Sequence, residues 1–533
     1  MRRTLGHGTL LGVLLFIVQN TAVWSAWLRT PPGAAPVFHL INPDTCQYLG
    51  FLALARDHVL FPNLHAPWTT EPAMLNVLFL TGGRVGAWLH LTPAATLIAL
   101  ELLLYVFAAA AFVWVLGIFL ETRAQKIAAV AVTICSMPLT VWLFSSRISL
   151  LGSVDLAYMT ADGLFRGGLS NSPTLSFGTG MVLVELGLAA LHFKTGQRVY
   201  SYCLAAAIFL SALVHPFEVF VTVPAVIAGF LLFARKSWRE AILIVLGAGL
   251  GLAPHAVLSL RHPWLGDLAR VFSDSAPSLA ALIFSYGIGL LAVPYLLLMR
   301  SWPRNVQDKL LLVWWTITAA TQLLPGVEVP QHLMDGFAAL TGILVVRLAA
   351  PQPKLNELYR SHRRVWITAA ACVLILAAGA YTSVYARIER DGRSTDPGFL
   401  LPAVAGTDEI AVVREMRARA SVDDLALAPE PLRMLLITAP VHSFASHEHL
   451  SMTYRAQWAE SERFFNGKMG AGEAQAFLAR YGFRWVVVPE SSPALVYFAG
   501  RPEAFRCGKL RVFVLPENRM KAYPGLGHLG ETS

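Results

Sequence analysis

An aspartate stands just beyond the first apolar run of the chain: Asp44, in the stretch INPDTCQY from Ile41 to Tyr48. A carboxylate next to hydrocarbon is costly unless it has a task, and proton transfer is the task it does best. Asp44 therefore marks a candidate active site at the membrane face away from the cytoplasm. Its plainer reading is a helix cap, since Pro43-Asp44 ahead of an amphipathic run is a common helix start. Other polar residues gather in the loops. Tyr48 and Arg56 follow Asp44 on the same stretch, and Arg147, Asp155, Asp162 and Arg166 occupy a Ser- and Gly-rich stretch. His215, ahead of Pro216 and Glu218, could bind a phosphate or pair with Glu218. Aspartates in a Gly-rich loop are more often turn formers than ligands.

The elements that must position these residues are membrane helices. A mean hydropathy of +0.55 with 14% charged residues over 533 positions does not describe one soluble core. Apolar spans lie near Leu10 to Leu28, Ala95 to Leu120, Ile127 to Phe144, Thr174 to His192, Val199 to His215, Val219 to Phe233, Ala241 to Leu260, Leu279 to Met299, Leu310 to Leu324, Met334 to Val346 and Val365 to Tyr385. In hydrocarbon such runs must be helices, because only a helix satisfies its backbone within one segment. Ala73 to Leu91 is long enough to cross but carries Asn76, Arg84 and His90, and it is expected to lie along the outer surface or re-enter.

Lys and Arg are retained in short cytoplasmic loops. Basic loops containing Arg123 and Lys126, Lys194 and Arg198, Arg235 and Lys236, Arg300 and Arg304, and Lys354 and Arg360 alternate with loops poorer in cations. About eleven transmembrane helices result, with the N-terminus inside and the C-terminus outside. The net charge of +9 is largely this asymmetry and does not argue for nucleic acid. Five cysteines are too few for a disulfide framework, and no CxxC or HExxH cluster is present. The basic, apolar N-terminus reads as an uncleaved first helix.

The chain divides at about residue 386. Residues 1–386 form the transmembrane domain, with a first outer loop at 29–94 and a second at 145–173, and 387–533 form an extracytoplasmic α/β domain. In the first loop, Tyr48, Phe51, Leu52 and Ala55 recur at helical spacing, the pattern of an interfacial helix. In the tail, Glu409 to Ala418, Glu460 to Phe465 and Ala471 to Tyr481 read as helices. Leu425 to Leu427 and Trp485 to Val488 read as strands, and Phe505 to Leu515 as a hairpin around Gly508. His442, His447 and His449 are dense but lack zinc spacing, so a surface loop is the better reading.

Asp44, Tyr48, Asn63, Pro72 and Gly86, the pair His215-Pro216, and the tail residues His447, His449, Thr453, Tyr454, Phe464 and Phe465 resemble GT-C glycosyltransferases and their bacterial relatives. The resemblance implies a polytopic α-helical fold of GT-C type in the bacterial inner membrane. It implies a polyprenyl-phosphate-linked sugar as donor and a lipid, glycan or protein acceptor on the outer face. By that resemblance Asp44 acts at the acceptor, as base or as metal-assisted orienter, Tyr48 contributes to the substrate site, and Arg56, Arg147 and Arg166 supply cations for a phosphate leaving group. Where the family often has an acid directly after the third crossing, this chain reads SSRISLLGSVD, so Asp155 or Asp162 must substitute. No cofactor and no metal ligand is assigned, and a divalent metal is compatible with the family's chemistry. The alternatives are a non-catalytic scaffold of the same architecture and, less favoured, a transporter, whose paired broken spans in two related halves are not apparent here.

Overall fold

The computed structural model describes residues 2–20, 35–36, 43–66, 71–135, 173–233, 238–265, 290–299, 303–321, 335–349, 404–430, 432–446 and 453–516, together with the single residues 28, 333, 367, 371 and 451. The protein is mostly helical, with a small sheet, and divides into two compact units. One comprises residues 1–22, 99–254 and 273–387, and the other 23–98, 255–272 and 388–533.

The first unit is built from helices. Three of the described helices are long and apolar enough to cross a membrane: Pro93–Phe119, Pro173–Thr195 and Trp238–Arg261. Their 27, 23 and 24 residues rise about 40, 35 and 36 Å at ~1.5 Å per residue, more than the ~30 Å of a hydrocarbon core. Arg2–Gln19, Arg123–Cys135, Arg198–Val214, Val219–Phe233, Val306–Thr321 and Phe337–Ala349 are shorter. A 15-residue helix occupies Val219–Phe233, the limits expected of a span there. The one expected from Thr174 begins at Pro173, where a residue lacking an N–H suits the first helical position. Of the spans expected at Leu279 to Met299 and Val365 to Tyr385, most residues lie outside the described ones.

Two contacts show how tightly this unit is packed. A Cβ on Gly342 would lie 2.2 Å from Thr133 Oγ1 and 2.7 Å from the carbonyl of Ala129, so Phe337–Ala349 and Arg123–Cys135 meet at a distance only glycine permits. Arg347 donates from Nε to Asp308 Oδ1 at 2.6 Å and from a terminal nitrogen to the carbonyl of Phe119 at 3.1 Å. One guanidinium thus joins the ends of three helices.

In the second unit, the first loop provides the helices Pro43–Leu54 and Val77–Trp88. Val77–Trp88 starts where Asn76 Oδ1 accepts the N–H of Phe79 at 3.2 Å. Its 12 residues rise about 18 Å, short of a ~30 Å hydrocarbon core. The two helices touch closely, since a Cβ on Gly83 would lie 2.5 Å from Ala55 Cβ, and Tyr48 stacks on Phe79 with centroids 4.4 Å apart.

The tail contributes a five-stranded sheet in the order β4-β3-β5-β7-β6. Strands β3 (Leu425–Leu427), β4 (His442–Ser443) and β5 (Trp485–Pro489) run parallel, and β6 (Phe505–Cys507) and β7 (Leu510–Val514) form an antiparallel hairpin. Gly508, at φ +54, makes the turn of that hairpin. A further pair, β1 (Ala35–Pro36) and β2 (Val404–Ala405), joins the start of the first loop to the start of the tail. Helices Thr407–Arg419, Tyr454–Phe465 and Ala471–Tyr481 flank the five-stranded sheet in sequence, and Phe444, Phe464, Phe477, Phe483, Val486 and Phe513 fill its core. The helices and strands expected in the tail are all present. The short Leu432–Leu435 helix and the two-residue β4 are additional, being too brief to show a period.

Candidate functional site

The most concentrated group of potential ligand atoms among the described residues lies in the first unit. The helix Arg198–Val214 ends at His215, whose backbone leaves helical geometry at φ −145 and ψ 91. Pro216 follows and cannot extend a helix, so the chain turns and the next helix starts at Val219. Within that turn the carbonyl of Glu218 accepts from Val221 N at 3.0 Å and Thr222 N at 2.8 Å, which fixes where its side chain begins. His215 Nδ1 and Glu218 Oε1 are 2.5 Å apart.

Asp335 joins this pair from another helix start. Gly336, at φ +76, makes a turn that few other residues adopt, and its carbonyl accepts the N–H of Leu340 as Phe337–Ala349 begins. His215, Glu218 and Asp335 are 6%, 2% and 4% exposed, and one ligand atom from each lies within 4.8 Å of the others. The floor is Gly178 of Pro173–Thr195: a Cβ there would lie 1.9 Å from Glu218 Oε1 and 2.6 Å from Asp335 Oδ2. Both carboxylates therefore point at one spot that the missing side chain leaves open.

The surroundings are polar although buried. Glu185 is fully buried, with the hydroxyls of Thr222 and Ser211 beside it and Glu218 near enough to act on it electrostatically. Among the described residues the second oxygen of Glu218 has no hydrogen-bond partner, and neither has the buried Thr179 hydroxyl. Such groups are uncommon in a helix interior unless they serve something. An imidazole and two carboxylates are also ordinary ligands for a divalent ion, so among the described residues these three are the ones that could hold a metal.

Of the residues expected to act, His215 thus pairs with Glu218, one of the two roles its sequence context allows. Asp44 is the second residue of Pro43–Leu54 in the second unit, and its side chain lies outside the described residues. Tyr48 is half-buried on that helix against Phe79, and Arg56 is exposed just past its end. Arg147, Asp155, Asp162 and Arg166 lie outside the described residues, as do His447 and His449. Glu218 was expected only as a partner of His215, and Asp335 only as a residue at the start of its span that could face the outer cavity with Glu328 and His332. The three-residue spacing of His215 and Glu218 was visible, but nothing local indicates that Asp335, more than a hundred positions later, returns to the same place.

The second unit holds its own buried polar junction. Ser443 N donates to the carbonyl of Leu64 at 2.8 Å, and His65 Nδ1 meets Ser446 Oγ at 2.8 Å. His442 donates from Nδ1 to the carbonyl of Ala66 at 3.2 Å, and burial pushes its pKa down to about 4. Asn63 Oδ1 accepts the N–H of His65 at 3.1 Å, which shapes the turn there. These bonds tie the segment after Pro43–Leu54 to β4, and a Cβ on Gly50 would come within 3.0 Å of the Ile437 carbonyl. The helix carrying Asp44 is positioned by the tail.

No protein-family model matches the chain, and no curated protein is similar to it in sequence. Solved structures are similar in fold. An oligosaccharyltransferase from Archaeoglobus fulgidus, in a complex with zinc and sulfate, aligns with a TM-score of 0.53 at 12% identity, covering 91% of this chain and 68% of that one. ArnT from Cupriavidus metallidurans, bound to undecaprenyl phosphate, aligns at 0.50 and 12% identity over 96% of this chain and 99% of its own. The arabinofuranosyltransferase AftD from Mycobacteria aligns at 0.52 and 15% identity over 92% of this chain, which spans 37% of that longer protein. The chain shares its fold with these three structures, the fold that its resemblance to GT-C glycosyltransferases implies.

Proposed function

We propose that the protein is a membrane glycosyltransferase that moves a sugar from a polyprenyl-phosphate donor to a lipid, glycan or protein acceptor on the outer face of the bacterial inner membrane. The observation that carries this reading is the end-to-end fold match to ArnT, a protein solved with undecaprenyl phosphate bound. In this reading residues 1–386 make about eleven crossings, the N-terminus is cytoplasmic, and 387–533 lie outside. Asp44, at the start of a helix held against the tail, takes the proton of the acceptor hydroxyl as that oxygen attacks the anomeric carbon. The bond to the donor phosphate breaks with inversion, and Arg56, Arg147 and Arg166 balance the charge that appears on the leaving group. Tyr48, Asp155, Asp162 and His215 complete the substrate site.

The test is turnover of a panel of polyprenyl-phosphate sugars by the purified chain in reconstituted membranes. Asp44→Asn should keep folding and insertion, because an amide of nearly the same shape fits the first turn of the helix Pro43–Leu54, and should abolish transfer, because it accepts no proton. Full activity in that variant ends the assignment of Asp44. No turnover by the unaltered protein across a broad panel favours a scaffold of the same architecture.

A further inference from the structure

We propose that His215, Glu218 and Asp335 form a binding site for one divalent transition-metal cation of the zinc or manganese class, seated over Gly178. Three independent observations converge. The ligand atoms already cluster, one from each residue within 4.8 Å of the others, on two buried segments that are far apart in sequence, the turn holding His215 and Glu218 and the helix start at Asp335. The space is kept open: Gly178 has no side chain at the point where Glu218 Oε1 and Asp335 Oδ2 converge, and a methyl group there would overlap both. The donor inventory is unfinished as well, since Glu218 Oε2 is buried without a hydrogen-bond partner among the described residues, although its sister oxygen meets His215.

Charge gives the cation its reason. Glu185, Glu218 and Asp335 place three carboxyl groups in one buried patch, and among the described residues no Lys or Arg pairs with Glu185 or Glu218. Buried carboxylates are tolerated when they are paired or coordinate a metal. The composition of the set selects the ion. Mg²⁺ and Ca²⁺ favour all-oxygen surroundings, whereas an imidazole with two carboxylates suits Zn²⁺ and Mn²⁺. Three protein ligands leave a further coordination position for water or a ligand oxygen, as in metal sites that act on substrates rather than only stabilise a fold. The proposal concerns binding and does not depend on which sugar, or whether any sugar, is transferred.

The experiment uses the full-length chain in detergent or nanodiscs, stripped with chelator and titrated with Mn²⁺ in the absence of any donor. Free Mn²⁺ is followed by electron paramagnetic resonance, and Zn²⁺ content is measured by mass spectrometry after desalting. The expected result is about one tightly held equivalent, and a melting temperature that rises with the cation. Glu218→Gln and Asp335→Asn should each weaken binding by roughly tenfold or more, since loss of even an outer partner of a metal ligand costs about 10- to 100-fold. Gly178→Ala keeps every ligand and every charge, and the overlap it creates is with the mobile ends of two carboxylates, so the fold should survive while affinity falls. Absence of a held cation in the unaltered protein overturns the site, and so does unchanged affinity in a well-folded Gly178→Ala together with Glu218→Gln. A protein that holds the cation but transfers no sugar keeps this site and loses the transferase reading. One that transfers sugar without holding a cation does the reverse.

Discussion

Ser443 donates its backbone N–H to the carbonyl of Leu64 at 2.8 Å, on the side of β4 that β3 does not use. The residues on either side bond to β3 instead, His442 N to the Asp424 carbonyl and Phe444 N to the Ala426 carbonyl. The first loop thereby covers the edge of a sheet whose strands come from the far end of the chain, which both protects that edge and fixes the loop. Asp44 lies on the helix leading into this segment, so the tail positions the candidate base.

The same junction should be sensitive to acid through His442. Its imidazole is buried and held neutral, with a pKa lowered from 6.5 to about 4 chiefly by desolvation, against the opposing effect of its bond to Ala66. An unfolded chain takes up the proton below about pH 6.5, whereas the folded chain does so only near pH 4. The contribution is fully present above pH 6.5 and is lost as pH falls through this window, with a size on the order of 3 kcal/mol. Tryptophan-fluorescence melts from pH 7.5 to 4 should show the decline. His442→Gln, which does not titrate, should flatten it, and an identical pH profile in that variant would remove His442 as the cause.

Arg347 should be the most costly single cation to remove from the helical unit. Its partner Asp308 has a side chain only 6% exposed, and replacing Arg347 with Met leaves that carboxylate without its charge partner. Breaking one side of such a pair typically costs about 3–5 kcal/mol, much of it from the stranded charge. Arg347→Met combined with Asp308→Asn should recover a substantial part of the loss. Thermal melts of both variants in detergent decide this, and a double variant no better than the single one would mean that the lost bond to the Phe119 carbonyl carries the effect.

Orientation can be read at Gly472, an exposed residue with open space around its Cα in the helix Ala471–Tyr481. Ser461, in the neighbouring helix, is buried and unsuited to labelling. With the tail outside, Gly472→Cys reacts with a membrane-impermeant maleimide in intact spheroplasts. Reaction only after lysis would reverse the proposed topology.

The sequence by itself determined that this is a helical membrane protein and where most of the described helices and strands lie. Twenty-residue apolar runs have only one way to satisfy their backbone in lipid, and amphipathic periods in the tail map directly onto Thr407–Arg419 and Ala471–Tyr481. It also indicated the His215–Glu218 pair, because three residues across a Pro-broken helix end are neighbours under local geometry alone. Only the tertiary structure brought Asp335 to that pair, left Gly178 bare beneath both carboxylates, and bound Leu64 to Ser443. Those contacts join segments far apart in the chain. Local propensity carries no information about which distant surfaces will meet, and that is settled by the close packing of whole helices and of the sheet edge.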